Sequence, residues 1–238
     1  MYHQVGRFET PRRHRACYCD VERFRSQMGY LERFGYRVMG LGEALAALFG
    51  DGALPPRAVV LTFDDGYRNF REHAFPILRQ FGFPATVYLV SGLLGGRAEW
   101  LDVDGPKPAL MDETEIRELH REGVRFGSHG VTHPRLSRLD ETAAREEILA
   151  SRRMLEDLLG EPVDHFCYPY GDYDDGVRRL VQSAGYRSAL TCIRGAANEA
   201  ENPLEIPRKA ISYGDNLIGF MWKLHMKHAR KAAMRSAS

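Results

Sequence analysis

An α/β fold, with helices packed around a parallel sheet, is what this 238-residue sequence predicts. Two observations carry the prediction. Short apolar runs alternate with amphipathic helical segments along the chain, uninterrupted by any internal repeat or low-complexity tract. One of those runs, Ala58-Val59-Val60-Leu61-Thr62-Phe63, is continuous, as expected of a strand covered on both faces. With 44% hydrophobic and 27% charged residues the chain can bury a full core without disulfides. One domain over 1–238 is the economical division, because α/β barrels commonly use this length, with 215–238 set apart as a C-terminal basic helix and tail.

A first strand is predicted to end near His3. Asp20 then caps a helix that places Phe24, Met28 and Leu31 on one face and runs out near Gly35. A short strand follows at Tyr36–Met39, and Pro55-Pro56 punctuates the chain before the central run. A helix from about Arg68 to Gln80 and a second buried run, Ala85–Val90, come next. Asp112 with Glu115 three residues on forms a capping-box start for a helix ending before Gly123. Val124–Phe126 reads as a strand, and Asp140–Leu159, closed by Gly160, as the long helix. Strands near His165–Tyr168, Arg187–Leu190 and Ile206–Ile211 complete the set. The Gly/Pro-rich segment Ser91–Met111, with Trp100 inside it, is either a functional loop or a mobile surface insertion. Leu217–Met234 reads as a helix whose Lys223, Lys227, Arg230 and Lys231 make a basic face, with His225 on it as a solvated residue.

Charge and cysteine content narrow the function. Thirty-three basic side chains against 32 acidic ones leave a net charge of +1, too balanced to capture nucleic acid. Cys17, Cys19, Cys167 and Cys192 are too few and too irregular for a disulfide scaffold or a four-cysteine zinc site, so reduced thiols are expected. No apolar run has the length of a signal peptide at the start or of a membrane span anywhere, so the expected location is cytoplasmic; a leader ahead of residue 1 would not show.

Three motifs carry the chemistry. Thr62-Phe63-Asp64-Asp65-Gly66-Tyr67 places two adjacent carboxylates at the end of the central strand, where their repulsion calls for a cation or a functional need; Asp-Asp-Gly is also ordinary turn chemistry. Ser128-His129-Gly130-Val131-Thr132-His133 follows another strand, and its two imidazoles converge if the segment makes one helical turn. Two histidines and a carboxylate would leave a coordination position for water, as a catalytic metal site requires. Phe166-Cys167-Tyr168-Pro169-Tyr170-Gly171 is the third strand-end motif; alone it reads as a proline-aided turn. In parallel barrels catalytic groups gather at the C-terminal ends of the strands.

On these motifs the chain resembles the polysaccharide deacetylases of the NodB-homology type, carbohydrate esterase family four. The first matches that family's Thr-Phe-Asp-Asp-Gly signature, the second its paired metal histidines and the third its Pro-Tyr-Gly turn; Met1-Tyr2-His3 and Ile206-Pro207-Arg208 extend the likeness over most of the chain. The resemblance implies a distorted (β/α) barrel that removes acetyl groups from N-acetylated amino sugars in a glycan or lipid-linked glycan precursor. It assigns Asp64 as general base, Asp65, His129 and His133 as ligands of a divalent metal, and the Tyr170 backbone N–H as oxyanion donor. Zinc is the expected ion, with cobalt, nickel or iron as substitutes.

The likeness is incomplete in ways that bear on mechanism. Cys167 stands where many members carry an arginine that pairs with the catalytic aspartate; Arg208 is a candidate replacement, or else a surface or structural ion-pair residue. The family's Asp-Trp and Leu-x-x-His motifs are not evident, so the general acid is unassigned; His3 ranks first, with a structural histidine as the alternative. The basic C-terminal helix suggests peripheral contact with an anionic lipid carrier. Two other functions compete: a mononuclear iron oxygenase, which uses the same ligand set, and a catalytically silent glycan-binding domain on the same fold.

Overall fold

A computed structural model describes residues 1–11, 13–103 and 105–226. Its centre is a six-stranded parallel sheet in the order β10-β9-β8-β7-β6-β5, formed by β5 (Thr62–Phe63), β6 (Thr86–Leu89), β7 (Arg125–Ser128), β8 (His165–Cys167), β9 (Ser188–Arg194) and β10 (Ile206–Arg208). The first residues tie the two edges of this curled sheet together. Tyr2 donates to the Thr62 carbonyl and accepts from the Asp64 N–H, while the Met1 carbonyl accepts from the Ile211 N–H. The expected distorted (β/α) barrel follows. Two two-stranded parallel pairs flank it: β1 (Gln4–Gly6) with β2 (Tyr18–Asp20), and β3 (Arg37–Val38) with β4 (Ala58–Val59).

The helices form where capping and periodicity place them. Asp20 accepts hydrogen bonds from the Glu22 and Arg23 N–H groups at the start of α1 (Val21–Arg33), and Phe24, Met28 and Leu31 are fully buried. α2 (Leu41–Phe49) and α3 (Phe75–Phe81) follow, the latter entered through a π-helical turn at Phe70–Ala74. α4 (Glu113–Arg121) carries the Asp112/Glu115 capping box. α5 (Glu141–Leu159) starts at an Asp140 cap, ends at Gly160 with φ +70° and buries Ala144, Ile148, Ser151 and Leu155. α6 (Asp175–Ser183) and α7 (Leu217–His225) complete the set. Tyr2, Phe24, Phe63 and Phe70 interlock under the first-strand end, with ring centroids 4.8–5.9 Å apart.

Several expectations need correction. The run Ala58–Phe63 is not one strand: Ala58–Val59 pairs with β3 and Thr62–Phe63 with β6, so the chain changes sheets at Val60-Leu61. The two pairings lie in separate sheets, which apolar patterning does not distinguish. The apolar α2 has no counterpart among the predicted elements, whereas α6 is the helix to which a proline-aided turn after β8 leads. The predicted C-terminal helix is helical to His225, and its part beyond Met226 lies outside the described residues. His225 is exposed as expected, and its Nε2 also meets the hydroxyls of Tyr30 and Tyr36 at 3.0 and 3.2 Å.

Candidate active site

The three motifs emerge at the C-terminal ends of β5, β7 and β8 and meet. After β5 the backbone turns through two successive left-handed residues, Asp65 (φ +76°) and Gly66 (φ +72°). The left-handed φ favours glycine at 66, and a Cβ there would also push on the end of the Leu89 side chain 2.8 Å away. The turn lets the neighbouring carboxylates serve different partners: Asp64 faces Arg208, and Asp65 faces the histidines.

Asp65 Oδ1 lies 3.2 Å from His129 Nε2 and 3.3 Å from His133 Nε2, and all three side chains are buried. Ligand atoms held about 2.0–2.1 Å from a tetrahedral ion stand about 3.3 Å apart, so the donor spacing suits a divalent metal. His129 Nδ1 lies 2.6 Å from the Cys167 carbonyl oxygen. Donation to that carbonyl fixes the tautomer and leaves the Nε2 lone pair facing Asp65. Burial alone pushes the Asp65 carboxyl up, but hydrogen bonding to His129 and His133 holds it well below the usual carboxylate range. A second possible donor set, Asp64, His129 and Cys167, is a poor cation site, because the Arg208 guanidinium already occupies Asp64 and touches Cys167 Sγ at 3.1 Å.

The second motif does not form the helical turn that its spacing suggested. Residues 129–135 form an irregular loop in which Gly130 (φ +81°) and His133 (φ +66°) are left-handed. The loop is held from outside by Glu147 on α5, whose Oε2 accepts from the Val131 and Thr132 N–H groups and whose Oε1 accepts from Thr132 Oγ1. Of the five described non-glycine residues with left-handed φ, three are Asp65, His133 and Tyr170, which is the clustering of backbone strain expected at a functional site.

Asp64 is 2% exposed and forms a bidentate pair with Arg208, Nη1 to Oδ1 and Nη2 to Oδ2 at 2.7 Å each. Arg208 is itself buried, and its Nε donates to the Thr191 carbonyl. Burial raises the Asp64 carboxyl, but the Arg208 charge and hydrogen bonds, helped by His3 and His129, bring it below its ordinary value, so it is ionised at neutral pH. His3 Nε2 stands 3.9 Å from Asp64 Oδ2, too far for a hydrogen bond, and its Nδ1 is buried without a partner among the described residues. Tyr170 sits at the mouth with φ +58°, its ring edge-on to His133 at 4.5 Å and covered by the Arg135 guanidinium at 4.3 Å. Ser91–Met111 is no loose insertion: Leu101 and Leu110 pack with Tyr67 in a core of their own, and Trp100 stacks on His133 with ring centroids 4.3 Å apart. No local sequence signal marks Trp100 within its loop or Glu147 in the middle of α5.

Residues 51–189 match the family described as polysaccharide deacetylase. The chain belongs to that family. It is 23% identical over 214 residues to protein YxkH of Bacillus subtilis (strain 168), covering 90% of this chain and 71% of that one. It is 25% identical over 200 residues to the poly-beta-1,6-N-acetyl-D-glucosamine N-deacetylase of Staphylococcus aureus (strain MSSA476), covering 79% of this chain and 66% of that protein. Among solved structures, the Streptococcus pyogenes deacetylase PplD in complex with acetate superimposes with a TM-score of 0.81 over 94% of this chain and 96% of that chain, at 22% identity. IcaB from Ammonifex degensii gives 0.79 over 94% of each chain, also at 22% identity. These two likenesses concern the fold. In this polysaccharide deacetylase family member the guanidinium beside the aspartate comes from β10, with Cys167 packed against it in the third motif.

Proposed function

We propose that this chain is a metal-dependent hydrolase that removes the N-acetyl group from an amino sugar in a glycan, with an oligomer of β-1,6-linked N-acetylglucosamine as the first substrate to test. The observation that carries the reading is the adjacency of an ionised, arginine-clamped Asp64 to the Asp65–His129–His133 cluster at one rim. A carboxylate with no metal to hold, set beside a three-ligand metal site, is what hydrolysis needs and oxygen activation does not use.

In this reading Asp65, His129 and His133 hold a zinc ion, which when bound acidifies water and polarises the acetamide carbonyl. Asp64 takes the proton of the attacking water, and Arg208 keeps that carboxylate ionised and oriented between turnovers. The Tyr170 N–H donates to the oxyanion. His3, just ahead of β1 rather than at the end of a first strand, delivers a proton to the departing amine. Trp100 and Tyr170 form the aromatic walls against which a pyranose ring lies. The products are acetate and a free amine. Lipid-linked amino sugars are a second substrate class; no described helix is long and apolar enough to cross a membrane, and peripheral contact through the C-terminal segment would bring the site to such substrates.

Acetate release from N-acetylglucosamine oligomers by zinc- or cobalt-loaded protein, with loss on chelation, tests the reading. Iron-dependent oxygen consumption without acetate release would favour the oxygenase, and glycan binding without either reaction would favour a silent binding domain.

A further inference from the structure

A cavity of about 620 Å³ lies between α2, the segment 54–62, β10 and α7. Its volume falls within the roughly 300–1,000 Å³ of small-molecule sites. Leu41, Leu45, Val60, Ile206, Phe220 and Leu224 are among the side chains that make its wall apolar. No Asp or Glu is among the described residues lining it, whereas Arg57, Lys209, Lys223, His225 and Arg208 all are.

Three of those five are already matched: Arg208 by Asp64, Lys223 by Asp215 at 2.6 Å, and His225 by two tyrosine hydroxyls. The remaining two have no carboxylate within 4.0 Å among the described residues. Arg57 donates to the Phe34 carbonyl and lies over the Tyr36 ring, and Lys209 donates to the carbonyls of Leu224 and Met226. Each keeps donors to spare, since an ammonium has three and a guanidinium five. Burial pulls the Lys209 ammonium below its ordinary value and the Glu199 charge, beyond ion-pair distance, opposes this only in part, so an anion in contact would offset more of the cost.

We propose that this cavity binds a single-chain aliphatic carboxylate of the fatty-acid type, its chain among Leu41, Leu45, Val60 and Ile206 and its carboxylate at Arg57 and Lys209. An apolar chain with one anionic end complements an apolar wall bearing two cations that no carboxylate contacts among the described residues. Two side-chain cations suit a carboxylate, and the proposal does not depend on the reaction assigned to the metal site.

Isothermal titration of the full chain with dodecanoate, below its micelle-forming concentration, is the test. One molecule should bind per chain, at least tenfold more tightly than dodecanol, and shorter carboxylates should weaken by about fourfold per methylene removed. Arg57→Ala combined with Lys209→Gln should weaken dodecanoate at least tenfold and leave dodecanol unchanged. Leu45→Trp should narrow the chain-binding part of the cavity and weaken both ligands alike; the charge variants, lying nearer the surface, keep the test decisive should that replacement unfold the protein. Equal affinity for dodecanoate and dodecanol would overturn the proposal. So would absence of binding, sedimentation with anionic phosphatidylglycerol vesicles without binding of monomeric dodecanoate, or self-association that leaves the cavity closed to it.

Discussion

Arg208 meets both carboxylate oxygens of Asp64 at 2.7 Å, from a strand 144 residues further along the chain. The pair is buried on both sides, so it is held by geometry that water cannot relax. Removing one partner leaves the other as an uncompensated buried charge, a loss of about 3–5 kcal/mol.

A pH dependence follows from that pair. Burial pushes Asp64 up and Arg208 pulls it down, with a net depression. Because the folded value lies below the unfolded one, the pair's contribution to stability is complete above about pH 4 and is lost as pH falls through the folded value. Arg208→Lys keeps the charge but loses the two-pronged geometry. We expect the acid limb of the kcat/KM profile to move to higher pH in that variant, with zinc content unchanged; an unmoved limb would show that Arg208 does not set the ionisation of Asp64.

Glu147 is expected to act through the loop it holds. Glu147→Ala strips the acceptor from two backbone N–H groups and one hydroxyl, at a cost of about 1–3 kcal/mol. Zinc affinity measured by competition with a chromophoric chelator should fall about tenfold or more, and Glu147→Gln, which keeps an acceptor oxygen, should recover part of it. Unchanged affinity in the alanine variant would separate the loop tether from the metal ligands.

Trp100 stacks on the His133 imidazole with ring centroids 4.3 Å apart. Trp100→Ala should raise KM for an N-acetylglucosamine oligomer about tenfold, equivalent to about 1.4 kcal/mol of lost contact, while the metal stays bound. A fall in zinc content with KM unaltered would instead make Trp100 a support for His133.

Metal loading should stabilise the fold. Free zinc at about one hundred times its Kd adds roughly 2.7 kcal/mol, visible as a higher Tm in a calorimetric scan. His129→Ala and His133→Ala should each abolish both the zinc-dependent rise and acetate release. A variant that retained the two would not have lost a ligand.

Local chemistry was legible in the sequence and long-range assembly only in part. The helix starts at Asp20, Asp112 and Asp140 follow from side chains that satisfy nearby N–H groups, so they could be read from neighbours in the chain. Asp64, Asp65, His129 and His133 could be picked out because each lies within a few residues of a strand end. The two imidazoles converge without a helical turn, because the shape of the 129–133 loop depends on Glu147, sixteen residues from Val131 and on another element. The break at Val60-Leu61 was hidden because both halves of the run are apolar and only pairing partners distinguish them. Arg208 stands out in the sequence as a candidate, but its burial against Asp64 is a property of barrel closure that no local pattern carries.

Asp64→Asn tests the central claim most directly, because it removes the base while leaving a side chain of the same shape beside Arg208. Acetate release from an N-acetylglucosamine oligomer and zinc content by mass spectrometry should be measured on the same preparation. We expect one zinc per chain, as in the unaltered protein, and acetate release lowered by at least a hundredfold, the lower end of the roughly 10²–10⁴-fold that a general base supplies. Acetate release by the variant at the unaltered rate, with zinc in place, would contradict the assignment of Asp64 as the base.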